Sequence, residues 1–164
     1  MNTFTNQASD EEDDPSQLKL AAGKGCTVLK HKTVRLIHSY DNELVIYHMR
    51  TMLAEAGFSK SDEYILAAAA SELATNIIRY AKEGELDISL VSNGMNQIGI
   101  EIFAGDRGPG IENIEAALSE HYSSEKSSLG LGLPSVKRIM DEFYIESVVG
   151  KGTRILARKW RDYA

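Results

Sequence analysis

Cysteine is almost absent: Cys26 stands alone in the chain. A single thiol can neither close an internal disulfide nor supply a thiolate metal cage. Long apolar runs are also missing. No stretch of about 18 apolar residues is present, so no membrane span is expected. The N-terminus lacks the basic region and apolar core of a secretory signal. The expectation is a soluble, cytoplasmic protein. Positive charge is in deficit, with 18 Lys and Arg against 24 Asp and Glu and a formal net charge of −6. This argues against a general nucleic-acid binder, which needs a basic surface to displace counterions from phosphates. The phosphate loop of P-loop NTPases, Gly-x-x-x-x-Gly-Lys-Ser/Thr, is absent as well.

What remains is ordinary globular composition: 164 residues, 43% apolar and 26% charged, the size of one domain. The acidity is uneven. Asp10, Glu11, Glu12, Asp13 and Asp14 supply five negative charges, and no Lys or Arg precedes them. Residues 1–17 read as an acidic, disordered tail, and 18–164 as the folded domain. The domain closes on a basic run, Lys151, Arg154, Arg158, Lys159 and Arg161, a candidate surface for which the tail and an acidic partner compete.

Alternation at Val34, Leu36 and His38 predicts a strand over 26–38. Asp41 is placed to cap a helix over 42–56, with Leu44, Tyr47, His48, Met52 and Ala56 facing inward and Gly57 ending it. Ser59-Lys-Ser-Asp62 resembles a capping box for a second helix over 62–81, whose apolar stripe is Leu66, Ala69, Ala70, Leu73, Ile77 and Tyr80. Strands follow at Leu86-x-Ile88-x-Leu90 and Ile98-x-Ile100-x-Ile102, joined through Asn93-Gly94. A short helix is expected over 111–120 and a serine-rich loop over 119–128. A further helix carries Leu133, Val136, Ile139, Met140 and Phe143. Strands near 144–149 and 153–160 meet at Gly150-Lys-Gly152. Strands arriving in hairpin pairs predict an α+β sandwich: one mixed, mainly antiparallel sheet with helices on one face.

Four constellations can carry chemistry. Glu72 and Asn76 lie four apart, on one helix face at the margin of the apolar stripe. Desolvating a carboxylate and an amide there is costly without partners. Mg²⁺, which takes oxygen ligands and keeps several waters, is a suitable one, and the carboxylate can accept a proton from a nucleophile; a surface Glu–Asn pair is the bland alternative. Asp106-Arg-Gly108-Pro-Gly110 follows a strand, where a carboxylate can bind an exocyclic amine and the glycines let a flat ring approach; it also suits a plain turn. Gly130-Leu-Gly132-Leu-Pro134 opens a helix whose free N–H groups attract phosphate, or is simply a flexible loop entering that helix. Gly150-Lys-Gly152-Thr153 is explained by hairpin chemistry, although Thr153 can offer a hydroxyl to a base.

In this order and spacing the four boxes resemble the GHKL ATPase superfamily, which shares the Bergerat ATP-binding fold. Within it, Ser71-Glu-Leu-Ala-Thr-Asn76, Tyr80-Ala81 and Leu131-Gly-Leu-Pro-Ser-Val-Lys-Arg-Ile-Met-Asp-Glu-Phe143 are similar to the anti-sigma-factor serine/threonine kinases, above all the stressosome switch kinases of the RsbT type. The resemblance spans about 26–161 and implies ATP and Mg²⁺ as cofactors. It implies that Asn76 holds the metal, Glu72 orients or deprotonates the attacking hydroxyl, and Asp106 reads the adenine amine. Gly108 and Gly110 would line the base pocket, Gly130 and Gly132 would let a lid close on the phosphates, and Thr153 would help hold the base. Lys126 is the candidate cation for the γ-phosphate. The implied acceptor is a serine or threonine of a STAS-domain protein, with a PP2C-type phosphatase or a sigma factor as further partners. The alternative within the same resemblance is an ATP-dependent binding module that sequesters its partner. A nucleotide-binding domain detached from a histidine kinase is a third reading. None of the four histidines, His31, His38, His48 and His121, sits in a phosphoacceptor-helix context.

Overall fold

A computed structural model describes residues 25–119 and 132–163. Strand β1 (Thr27–Leu36) is followed by helices α1 (Asp41–Glu55) and α2 (Lys60–Asn76), the latter running into a π-helical turn, Ile77–Ala81. The hairpin β2 (Gly84–Ser92) and β3 (Ile98–Asp106) comes next, then the short helix α3 (Ile114–Ala117), α4 (Gly132–Ile139), and the hairpin β4 (Glu142–Val148) and β5 (Gly152–Trp160). The sheet order is β1-β2-β3-β5-β4. Every pairing among these strands is antiparallel, so the mixed character allowed by the sequence is absent from the described strands. The second hairpin enters with β5 rather than β4 beside β3, which keeps that junction antiparallel too.

Period-two alternation builds the core. Leu86, Ala104, Ile155 and Ile145 form one continuous row across four strands, and all are buried. Val45, Met49, Met52 and Leu53 of α1 and Leu66, Ala69, Ala70 and Leu73 of α2 close over this face. The alanines of α2 let the helix lie close to the sheet, which places its C-terminal end, and with it Glu72 and Asn76, beside the end of β3.

Several local expectations are corrected. Leu44 and Tyr47 do not face inward: they are 51% and 63% exposed. Val45, Met49, Met52 and Leu53 recur at i, i+4, i+7 and i+8, a more complete stripe than the one through Leu44. Asp41 does not cap from outside the helix. It is the first helical residue, and its Oδ2 accepts from the N–H groups of Ile37 (2.9 Å) and His38 (2.7 Å). Those two backbone bonds hold its carboxyl below the usual range. Phe143 belongs to β4, because α4 ends at Ile139. The short helix is confined to 114–117, capped by Asn113. Ser59 caps α2 as expected, accepting from Asp62 N–H at 3.1 Å, and Gly57 (φ +76°) follows the end of α1.

The basic run on β5 is largely committed. Arg158 is 2% exposed and is held by Glu101 (2.6 Å) and Glu142 (3.1 Å). Lys159 pairs with Asp141 at 3.0 Å, and the Arg161 guanidinium donates to the Ala56 carbonyl. Two of its five cations, Arg158 and Lys159, are thus neutralised within the sheet.

Candidate nucleotide and phosphoryl-transfer site

Glu72 and Asn76 lie one helical turn apart, as their spacing requires. Glu72 is only 8% exposed, yet among the described residues its carboxylate has no hydrogen bond or ion pair. Arg79 is three residues beyond Asn76, inside the π-helical turn. The i, i+4, i+7 spacing of 72, 76 and 79 puts a carboxylate, an amide and a guanidinium along one side of one element. A π-turn at a helix end is a frequent mark of a functional position. The sequence reading passed over Arg79, although helical arithmetic alone would have placed it on the face of Glu72 and Asn76.

The Asp106–Gly110 loop and Thr153 converge at the end of β3 and the start of β5. Asp106 Oδ1 accepts from Gly108 N–H (2.8 Å) and from Thr153 N–H (3.2 Å), so one oxygen ties the strand end both to its own loop and to the last hairpin. Oδ2 has no partner among the described residues and is the acceptor left over for a ligand. Burial pushes the Asp106 carboxyl up, against the lowering effect of those two backbone donors. Beside it opens a cleft lined by Asp106, Glu146, Val148, Lys151, Gly152 and Arg154.

The loop is closely packed. A Cβ on Gly108 would lie 2.5 Å from the Ala81 Cβ, and one on Gly110 would run into the Val148 carbonyl. Gly150 N–H donates to the Pro109 carbonyl at 2.9 Å. The Gly108–Ala81 approach joins the base loop to the π-turn, which links the Asp106 end of the site to the Glu72–Asn76 end.

Thr153 stands at the same end of the site. Its backbone N–H serves Asp106, while its hydroxyl lies 2.7 Å from Ser147 Oγ. Ser147 also accepts from Ile111 N–H at 2.7 Å and thus connects three chain segments. It escaped the sequence reading because its role depends on the β4–β5 register, in which Ser147 faces Thr153; reading the strands symmetrically about Gly150 would have found it. Gly132 opens α4 with φ +56°. Lys126 and Gly130 lie outside the described residues, as do most of the serine-rich loop and the acidic tail.

Residues 43–159 match the model of the histidine kinase-like ATPase domain. The chain belongs to the histidine kinase-like ATPase family. Within that family it is 40% identical over 127 residues to the serine/threonine-protein kinase RsbT of Bacillus subtilis, covering 77% of this chain and 94% of that one. It is 33% identical over 99 residues to the anti-sigma F factor of Caldanaerobacter subterraneus, covering 58% of this chain and 68% of the relative. The fold agrees with the crystal structure of the RsbU and RsbW domains of a Mycobacterium tuberculosis protein. That match has a TM-score of 0.54 and 17% identity, covering 82% of this chain and 34% of that one. This member of the histidine kinase-like ATPase family is accordingly an ATP-dependent serine/threonine kinase of the RsbT group. Among its described residues no helix is long and apolar enough to cross a membrane.

The raised Asp106 carboxyl sets a pH expectation for its proposed role as acceptor of the adenine amine. To accept from an adenine amine the group must be ionised; protonated at Oδ2 it opposes one donor with another. Adenine-nucleotide affinity is expected to fall on acidification at a pH above the ordinary carboxylate range. Folding stability runs the other way: a raised carboxyl contributes most when protonated, and that contribution is lost as pH rises through its folded-state value. Titrating nucleotide affinity against pH checks this. The Asp106→Asn chain should bind weakly with no acid limb, and an unchanged limb in that variant would assign the titration to another group.

Proposed function

We propose that the chain transfers the γ-phosphoryl group of ATP to a serine or threonine hydroxyl on a STAS-domain regulator, within a partner-switching pathway. The working unit is residues 18–164, with the acidic residues 1–17 outside it. The observation that carries the reading is the Glu72 carboxylate, one turn from Asn76 on a residue only 8% exposed, with no hydrogen bond or ion pair among the described residues. A carboxylate with no committed partner is free to take a proton when a hydroxyl arrives.

The parts then divide as follows. Glu72 takes the proton of the acceptor hydroxyl; the acceptor oxygen bonds to the γ-phosphorus, and the bond to the β,γ-bridging oxygen breaks to release ADP. Asp106 Oδ2 accepts from the adenine amine; Gly108 and Gly110, expected to line the base pocket, let the loop that carries Asp106 pack against Ala81 and Val148, and the Ser147–Thr153 pair fixes the cleft wall. Arg79 neutralises phosphate charge from the same side as Asn76, and Lys126 is a second cation for that role. Gly130 and Gly132 leave the approach to the α4 N-terminus clear for phosphate. Among the described residues no cluster of three or more His, Cys, Asp or Glu could hold a metal ion. The donor set fits Mg²⁺ held by the Asn76 side-chain oxygen together with phosphate oxygens and water, not by a protein cage. Bound there, Mg²⁺ supplies charge neutralisation for a reaction that needs mainly positioning and electrostatics.

The test is incubation of the full chain with γ-labelled ATP, Mg²⁺ and a STAS-domain protein of the same organism. Label is expected on a serine or threonine of that protein; no transfer to it overturns the reading. Similarity to an anti-sigma F factor favours a second role, capture of a partner such as a sigma factor or a PP2C-type phosphatase. An Asn76→Asp chain that still captures a partner but no longer transfers phosphate separates binding from catalysis.

A further inference from the structure

Strand β1 is an edge. Among the described residues it pairs with β2 on one side only, so along its outer side the backbone N–H and C=O groups that do not face β2 are open to another strand. Its residues from Thr27 to Thr33 are all exposed. The strand is also basic, with Lys30, Lys32 and Arg35 and no acid. Lys30 is engaged by Glu55 of α1 at 2.5 Å. Lys32 and Arg35, both exposed, have no counter-ion among the described residues. Lysine on an edge strand is a common guard against unwanted pairing, and that is the plain alternative here. The opposite charge, however, is supplied by the chain itself. Asp10–Asp14 form an uninterrupted acidic block, and ten residues separate it from Gly25.

The geometry suits a return of the chain. Gly25, immediately before β1, has φ +96° and open space around it, a conformation that favours reversal of direction. The sequence there is Gly23-Lys-Gly25. An extended chain rises about 3.3 Å per residue. A return centred on Gly23 places Asp14 across from Lys32 and Glu11 across from Arg35, the two members of each pair lying equally far from the centre in sequence.

We propose that the acidic segment Asp10–Asp14 of the same chain docks antiparallel along the β1 edge, with its carboxylates on Arg35 and Lys32. It pairs with the open backbone groups and closes that edge to other strands. The interaction is that of an added strand: main-chain hydrogen bonds hold it and charge sets its register. This site is separate from the nucleotide site, and the proposal stands or falls independently of the phosphoryl-transfer reading.

The test is amide hydrogen exchange, resolved by residue, on the full chain at low ionic strength. Outward-facing amides of β1 should exchange about tenfold more slowly than in a chain with residues 10–14 changed to Asn and Gln. The same loss of protection is expected in a Lys32→Glu, Arg35→Glu chain. Combining those two substitutions with an all-lysine 10–14 block should restore protection, which a merely misfolded variant cannot do. Equal exchange in the wild type and the neutralised chain overturns the proposal. So does protection that grows with protein concentration alongside a dimeric mass, because the edge then belongs to a second copy.

Discussion

Replacing Glu72 by Gln is expected to lower phosphoryl transfer about 10²–10⁴-fold while leaving ATP affinity within about twofold of wild type. The substitution keeps the shape of the side chain and removes only its ability to accept a proton as a carboxylate. No hydrogen bond or ion pair among the described residues is broken by it. The residue is 8% exposed, and the amide matches the carboxylate in volume, so no packing is lost. The fold should therefore be as stable as before. This combination distinguishes a base from a structural residue, whose loss would lower stability and turnover together. Single-turnover transfer to the acceptor, nucleotide titration and thermal unfolding of the same preparation supply the three readings. Undiminished transfer would remove Glu72 from the chemistry and leave positioning and charge neutralisation to account for the rate.

The order of elements and the position of the loop after β3 were legible in the sequence because both depend on local signals. Alternation marked β2 and β3, and Asp, Gly and Pro marked the loop after β3. The margin position of Glu72 and Asn76 followed from helical arithmetic and a clear alanine-rich stripe. Where two registers competed, local pattern was insufficient. Leu44 and Tyr47 are as apolar as Val45 and Met49, and which set turns inward is decided by how α1 meets β1 and α2. The π-turn was hidden because no residue type marks the switch from i+4 to i+5 bonding. The neutralisation of Arg158 was hidden for a third reason. Its partners, Glu101 and Glu142, come from β3 and β4 and reach it only once β5 is inserted between those strands. A run of cations read along a chain is a surface charge only if cross-strand neighbours do not consume it.

The glycines at the closing hairpin make the same point about distance in sequence, and they yield the largest expected effect on folding. Gly150 and Gly152 look alike in sequence, each flanking Lys151 in a turn. Both have positive φ, +81° and +129°. Around Gly150 a Cβ would meet nothing within 4 Å, whereas on Gly152 it would run into the Asp106 carbonyl and come within 2.8 Å of the Arg107 Cα. Gly150→Ala should therefore cost only the backbone strain, about 1–3 kcal/mol. Gly152→Ala carries the same strain plus about 1–3 kcal/mol for forcing a methyl group against backbone that cannot rotate away. In a chain of this size each kcal/mol is worth about 2–4 °C in Tm, so the Gly152 variant should melt several degrees below the Gly150 variant. Its nucleotide affinity should fall further still. The displaced backbone is that of Asp106, and the Thr153 N–H that holds Asp106 Oδ1 is the next residue along. Thermal unfolding of the two variants, with and without nucleotide, gives the comparison. Equal melting temperatures would mean that β5 can draw back from β3 without strain, and the close approach would then not be what positions Asp106.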